Sequence, residues 1–181
     1  MHRLDRHAVR APVPGPVVPV HVSIIALQRS RRGAASRATL RRYESVRFDT
    51  KIAIAVRADL QPWQKLNVTA FLASGIAAST GDIIGKPYED GSGNTYLELF
   101  RQPVVVYAAD AGTLSQAHQR ALDRAVPMAI YTMDMFTTGN DDDNRAVVRP
   151  VPADELNFAG LAVHGPRNAV DKIFKGASLH P

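Results

Sequence analysis

Residues 51 to 65 read Lys51-Ile52-Ala53-Ile54-Ala55-Val56-Arg57-Ala58-Asp59-Leu60-Gln61-Pro62-Trp63-Gln64-Lys65. Ile52 to Val56 form an unbroken apolar run, and an unbroken run, unlike an alternating one, marks a strand buried on both faces. Lys51 to Arg57 is therefore predicted as the first strand. Pro62 suits a first helical position because its missing N–H would have no partner there. From it a helix is predicted to about Ser79, with Leu66, Ala70, Ala73 and Ala77 recurring on one face. A buried strand running straight into a helix is the opening unit of a layered α/β domain.

Three further apolar runs continue the sheet: Val104 to Ala108, Met128 to Tyr131 and Leu161 to Val163. Between them lie two more helical patterns. Thr113 to Ala125 places Leu114, Ala117, Ala121 and Leu122 on one face, with Thr113 as N-cap and His118, Arg120 and Arg124 turned outward. Arg167 to Lys175 buries Ala169, Val170, Ile173 and Phe174, and Gly176 ends it. Asp90-Gly91-Ser92-Gly93-Asn94 has the residues of a hairpin tip. No strand-to-helix switch accompanies its glycines, so it is no nucleotide-binding loop. The expectation is a three-layer α/β/α sandwich with a central mixed sheet of four to five strands over residues 51–181.

Residues 1–50 stand apart from this pattern. They hold ten of the 22 basic residues and three of the 17 acidic ones, a net of +7, which leaves 12 basic and 14 acidic residues, a net of −2, for residues 51–181. Arg-rich and interrupted by Pro12, Pro14, Pro16 and Pro19, the first fifty residues cannot build a core. The favoured reading is a disordered or wrongly included extension. A targeting leader and a basic arm are the alternatives; the apolar stretch Val17 to Leu27 is too short to span a bilayer. No membrane association is expected, and a cytoplasmic location is the default.

Composition closes several routes to chemistry. With no cysteine there is no thiol nucleophile, thiolate zinc site or disulfide. Asp141, Asp142 and Asp143 point in different directions and read as a solvated loop rather than a metal site. His118 and His164 have no metal-ligand spacing. No cofactor is expected. The domain's net of −2 also weakens tRNA as a partner, since phosphate binding draws on Lys and Arg.

The strand ending Val56-Arg57-Ala58-Asp59-Leu60, followed by a helix carrying Lys65, resembles the N-terminal signature of type II peptidyl-tRNA hydrolases. At the other end, Gly165-Pro166, Val170-Asp171-Lys172-Ile173 and Gly176 are similar to that family's closing strand-to-helix segment. The longer wording Pro62-Trp63-Gln64-Lys65-Leu66-Asn67-Val68-Thr69-Ala70, with Gly165-Pro166-Arg167-Asn168-Ala169-Val170-Asp171-Lys172, is closer to domain-of-unknown-function family number two thousand, which shares the fold and has no established activity. The resemblance covers residues 51–181. It implies a homodimer and a hydrolase-like site. The departures are definite: Pro62-Trp63-Gln64 replaces a glycine-bearing loop, Thr69 stands at the family's glutamine and Leu72 at its histidine. Thr132-Met133-Asp134-Met135 is a partial counterpart of the Asp-Ala-Gly loop.

In this frame Lys65, Thr69 and Asp134 are the catalytic candidates. Lys65 would stabilise developing charge and Asp134 would orient or deprotonate water. The alternative for Lys65 is a surface lysine paired with Asp59. Arg57, Asp59, Trp63, Asn67 and Gly165 are the ligand-binding candidates. Gly165 opens a helix whose free N–H groups suit an anion, though a tight turn explains it as well. Trp63 either stacks a planar ligand or, more often in such positions, closes a core edge or an interface. The functional expectation is an ester hydrolase acting on an acylated substrate. A non-catalytic small-ligand-binding module and a structural homo-oligomer are its alternatives.

Overall fold

The computed structural model describes residues 47–181; the extension expected over residues 1–50 lies, but for its last four residues, outside them. The chain runs β1 (Thr50–Arg57), α1 (Pro62–Ser79), β2 (Tyr88–Glu89), β3 (Thr95–Tyr96), β4 (Val104–Ala109), α2 (Ala111–Asp123) and β5 (Met128–Thr132). A 3-10 helix (Met133–Thr137), α3 (Asp141–Val148), β6 (Phe158–Pro166), α4 (Arg167–Ile173) and β7 (Ser178–Leu179) complete it. Five strands form one mixed sheet in the order β5-β6-β1-β4-β7. β1 pairs parallel with β4 and antiparallel with β6, and the other pairings are antiparallel. Among the described residues no helix is long and apolar enough to cross a membrane.

Side-chain size divides the two faces. Along β1, Ile52, Ile54 and Val56 point to the α1 side, and Ala53 and Ala55 point to the side of α2 and α4. On β6 the sizes are reversed: Phe158, Leu161 and Val163 face α2 and α4, and Ala159 and Ala162 face α1. A bulge makes this possible. The register with β5 shifts between Tyr131, which pairs with Gly160, and Thr132, which pairs with Phe158. The extra residue puts Ala159 and Gly160 consecutively on the α1 side, so β6 offers that helix a floor of small residues.

On that floor α1 packs Val68, Leu72 and Ile76. Of the expected core face of Leu66, Ala70, Ala73 and Ala77, Ala73 packs at the edge of this core and Ala77 is half-buried, whereas Leu66 and Ala70 are exposed. α1 is apolar all round, so periodicity alone cannot choose a side; the larger residues fill the core volume and Leu66 is left 73% exposed. In α2 the buried set is Leu114, Ala117, His118 and Ala121. His118 is 7% exposed, its ring 4.7 Å from that of Phe158, rather than turned outward. Position 118 lies about 40° round the helix from 114, still on the core side, whereas Leu122 lies about 40° further out and is 48% exposed. The cap of α2 is Asp110, whose carboxylate accepts from the Thr113 N–H at 2.7 Å, rather than Thr113 itself. Asp141 to Asp143 form the first turn of α3 instead of a loop. Asn140 caps them by accepting from the Asp143 N–H at 2.9 Å, and their charges suit a helix N-terminus.

The predicted hairpin is present, with β2 and β3 paired and Asp90 at its tip. The Asp90 carboxylate accepts from the Ser92 and Asn94 N–H groups, the Asn94 amide and the Tyr96 hydroxyl, which together hold its pKa far below the usual range. The strand β7, two residues long, is too short to carry a sequence pattern. Four of the five sheet strands are those read from the apolar runs.

Two consequences can be measured. A Cβ at position 160 would stand 2.8 Å from both the Ala55 carbonyl oxygen and Val68 Cγ1. Gly160→Ala is expected to cost about 1–3 kcal/mol in urea unfolding, because backbone on one side and a packed valine on the other leave no room to yield. The second concerns pH. Burial lowers the pKa of His118 from its ordinary 6.5. The folded state then holds it neutral while the unfolded chain still takes up a proton. Its contribution is complete above 6.5 and is lost as pH falls through the folded value. Denaturant midpoints should fall between about pH 7 and pH 5, and less steeply in His118→Gln. An unchanged slope in that variant would assign the effect to His164, whose pKa burial also lowers.

Candidate functional site

β5 ends the sheet on one side. Above it, α1 and the segment from the 3-10 helix into α3 are the walls of a groove. Two adjoining cavities, about 760 and 380 Å³, share Phe71, Tyr131, Met135, Asp141 and Asn144 and form one trough. Its α1 wall is built from Trp63, Asn67 and Phe71, which recur at four-residue spacing and so line up along the helix. Tyr131, from β5, and Phe136, from the 3-10 helix, face them. Trp63 meets Phe136 edge-on at 5.9 Å, Phe71 meets Tyr131 at 5.6 Å, and Tyr131 meets Phe136 at 5.2 Å. The four rings form a chain in which each touches the next, in the offset and edge arrangements that aromatic quadrupoles favour.

Uncharged polar groups in the trough are the amides of Asn67, Asn140 and Asn144, the Thr138 hydroxyl and the Tyr131 phenol; Asp141, Asp142, Arg145 and Arg149 line it as well. The Tyr131 hydroxyl lies 3.5 Å from Asn67 Oδ1, a long contact, and burial raises its pKa. Asn144 accepts from the Thr138 hydroxyl. Charge gathers at one end, where Arg145 pairs with Asp141 and, at 3.5 Å, with Asp142. The lining is thus mostly apolar with a few converging hydrogen-bonding groups, the composition of a small-molecule site. Among the described residues no group of His, Asp and Glu is placed to hold a metal ion.

The sequence-derived candidates divide. Trp63 and Asn67 line this trough; Lys65, Thr69, Arg57, Asp59 and Asp134 do not. Arg57 and Asp59 come together as a fork, Nε to Oδ1 at 2.9 Å and Nη2 to Oδ2 at 3.2 Å, while Arg57 Nη1 donates to Asn157 Oδ1 at 2.6 Å. The guanidinium ties the end of β1 to the chain entering β6, so most of its donors are already spent on protein. Asp59 is therefore partnered by Arg57 and not by Lys65. The Lys65 side chain, half-buried in the first turns of α1, has no ion pair or hydrogen bond among the described residues. The Thr69 hydroxyl donates back to the Lys65 carbonyl at 2.7 Å. Asp134 is exposed in the first turn of the 3-10 helix. At the other pole, the first N–H of α4, on Arg167, donates to the Asp49 carbonyl at 3.1 Å, so the turn after Gly165 already answers one of its free donors.

The rings of Phe71, Tyr131 and Phe136 and the amide of Asn144 were not singled out from sequence. A signal for the first existed, since Phe71 follows Trp63 and Asn67 at the same interval. Nothing in the order of residues joins α1 to the 3-10 helix; the fold does.

The class is that of a mixed-sheet α/β domain with an aromatic groove along one sheet edge. The model of a family described as protein of unknown function (DUF2000) matches residues 50–181, and the chain belongs to that family. Among solved structures it is similar to a protein of unknown function from Agrobacterium tumefaciens strain C58, at 52% identity and a TM-score of 0.73 over 75% of this chain and all of that one. No curated protein matches it.

Proposed function

We propose that this domain is a small-molecule-binding module, on a fold akin to that of the type II peptidyl-tRNA hydrolases, and that the groove between α1 and α3 is its site. The ligand class is a neutral planar or aromatic compound with an amide-like edge. One observation carries this: Trp63, Asn67 and Phe71 present ring, amide and ring at one spacing, opposite the rings of Tyr131 and Phe136. Rings of this kind stack or flank a planar body, and the amides of Asn67 and Asn144 can each donate and accept along its edge. A tRNA ligand fits the groove poorly. Only Arg145 and Arg149 bring positive charge to it, and Arg145 is held by two aspartates.

Titration of the isotope-labelled protein with benzamide, followed by NMR, tests this reading. Shifts are expected at the Trp63 indole N–H and at the side-chain amides of Asn67 and Asn144, with affinity about tenfold weaker in Asn67→Ala. Saturating benzamide without shifts at these groups would refute the groove as the site.

A second reading, an ester hydrolase acting on an acylated substrate, is favoured by Lys65, a half-buried residue whose ammonium has no partner among the described residues. In it Lys65 stabilises the oxyanion, Thr69 shares its helix face and Asp134 handles water. Peptidyl-tRNA cleavage by the wild-type chain, abolished in Lys65→Ala, is the outcome this reading requires. No wild-type turnover, or full activity in the variant, removes it and leaves the binding reading intact.

A further inference from the structure

At the opposite edge of the sheet from the groove, the starts of β1, β4 and α4 and the strand β7 border a cavity of about 380 Å³. It lies on the α2 and α4 side, where Tyr107 stacks on Phe174 at 5.5 Å and Lys51 pairs with Asp171 of α4. Phe48, Val105, Tyr107 and Leu179 supply its apolar wall, and Thr50, Lys51, Gln102 and Arg167 its polar one. No carboxylate is among the described residues that line it.

Two of the four polar residues are satisfied and two are not. The Thr50 hydroxyl donates to Gln102 Oε1 at 3.0 Å, and the Lys51 ammonium is held by Asp171. Gln102 is 7% exposed, yet its Nε2 has no hydrogen-bond partner among the described residues. Buried amide donors are nearly always answered, and one left open costs free energy on folding. Arg167 is exposed and makes no ion pair among the described residues. Asp171, one turn further along α4, is taken by Lys51, and Asp49 meets Arg167 through its backbone carbonyl. What remains open is therefore all donor: an amide N–H2 and a guanidinium, beside an ammonium whose charge is balanced.

We propose that this cavity is a second binding site, separate from the groove, and that it takes a small organic carboxylate. A carboxylate brings two acceptor oxygens, enough to answer the Arg167 fork and the Gln102 amide together, and its plane matches that of the guanidinium. Charge agrees. With Lys51 balanced by Asp171, Arg167 leaves the lining one positive charge for one negative ligand. The apolar wall selects an acid with a hydrocarbon or aromatic body over a bare oxyanion, which would leave Phe48, Val105 and Leu179 uncovered. Its volume lies within the roughly 300–1,000 Å³ of small-molecule sites. Side chains make this site, since the first N–H of α4 is already spent on the Asp49 carbonyl.

Benzoate, the charged counterpart of benzamide, tests this by NMR on the isotope-labelled full chain. Saturable shifts are expected at the Gln102 side-chain amide and the Arg167 Nε–H, with the Trp63 indole and the Asn67 amide unmoved. Arg167→Gln and Gln102→Met should each weaken benzoate at least about tenfold, through the loss of a hydrogen bond to a charged group. Arg167 is on the surface, so its substitution reports binding even where Gln102→Met disturbs packing. Lys172→Gln, which removes an exposed charge of α4 outside the cavity, should leave affinity as it was. Benzoate without saturable shifts at Gln102 overturns the proposal, and so does an equal loss of affinity in Lys172→Gln. Inorganic phosphate binding there as tightly as benzoate overturns it too, since a bare oxyanion makes no use of the apolar wall. None of these residues lines the groove, so the result is independent of the benzamide titration.

Discussion

The depth at which α1 sits on the sheet governs the rest of the domain, and that depth is set by two missing side chains. Gly160 on β6 lets Val68 and Leu72 of the helix come down to the strand. Gly75, on the helix, faces Ala129 of β5, where even a Cβ would stand only 3.0 Å from the alanine methyl. Close packing of this kind is where most of the favourable dispersion and burial energy of such a layer arises. With the helix held low by its Val68, Leu72 and Ile76 side, Trp63, Asn67 and Phe71 are left beside the sheet edge instead of above its middle. The groove is the space this leaves between the helix flank and the 3-10 helix.

The pair at the end of β1 has a different place. Arg57 and Asp59 lie where the motif leads one to look for an anion site, yet their geometry is architectural, since with Asn157 they bind the exit of β1 to the entry of β6. A bidentate guanidinium–carboxylate contact is well suited to fixing orientation. The Met133 N–H donates to the carbonyl of the same Asn157 at 2.8 Å, so the clamp reaches the start of the 3-10 helix that carries Phe136. Order at the strand ends is thereby passed to one wall of the groove.

The legible parts of the fold were those in which local pattern and burial coincide. Ile52 to Val56 and Leu161 to Val163 are buried on both faces and read as such. α1 was legible as a helix but not in its orientation, because Leu66 and Ala70 are as apolar as Val68 and Leu72; what selects between them is the volume available over Gly160, a tertiary quantity. His118 misleads for a related reason, since a polar name conceals a ring that packs against Phe158 as an aromatic would. The capping of α3 by Asn140 was local, yet three consecutive aspartates draw attention to charge rather than to the helix start they occupy. Of the site, the α1 wall was within reach of spacing arguments. The opposite wall needed the bulge at Ala159 and the turn after Thr132, neither of which has a sequence signature.

β7 is only two residues long, but it occupies the free side of β4 at Tyr107 and Ala108, and the His180 N–H beyond it donates to the Val106 carbonyl. An uncovered strand there would present a row of donors and acceptors to any other chain, and additions of that type have no natural end. By pairing with β4 there, the last few residues occupy part of the free hydrogen-bonding side of that strand and leave β5 as the sheet's longer edge strand, the one that borders the groove.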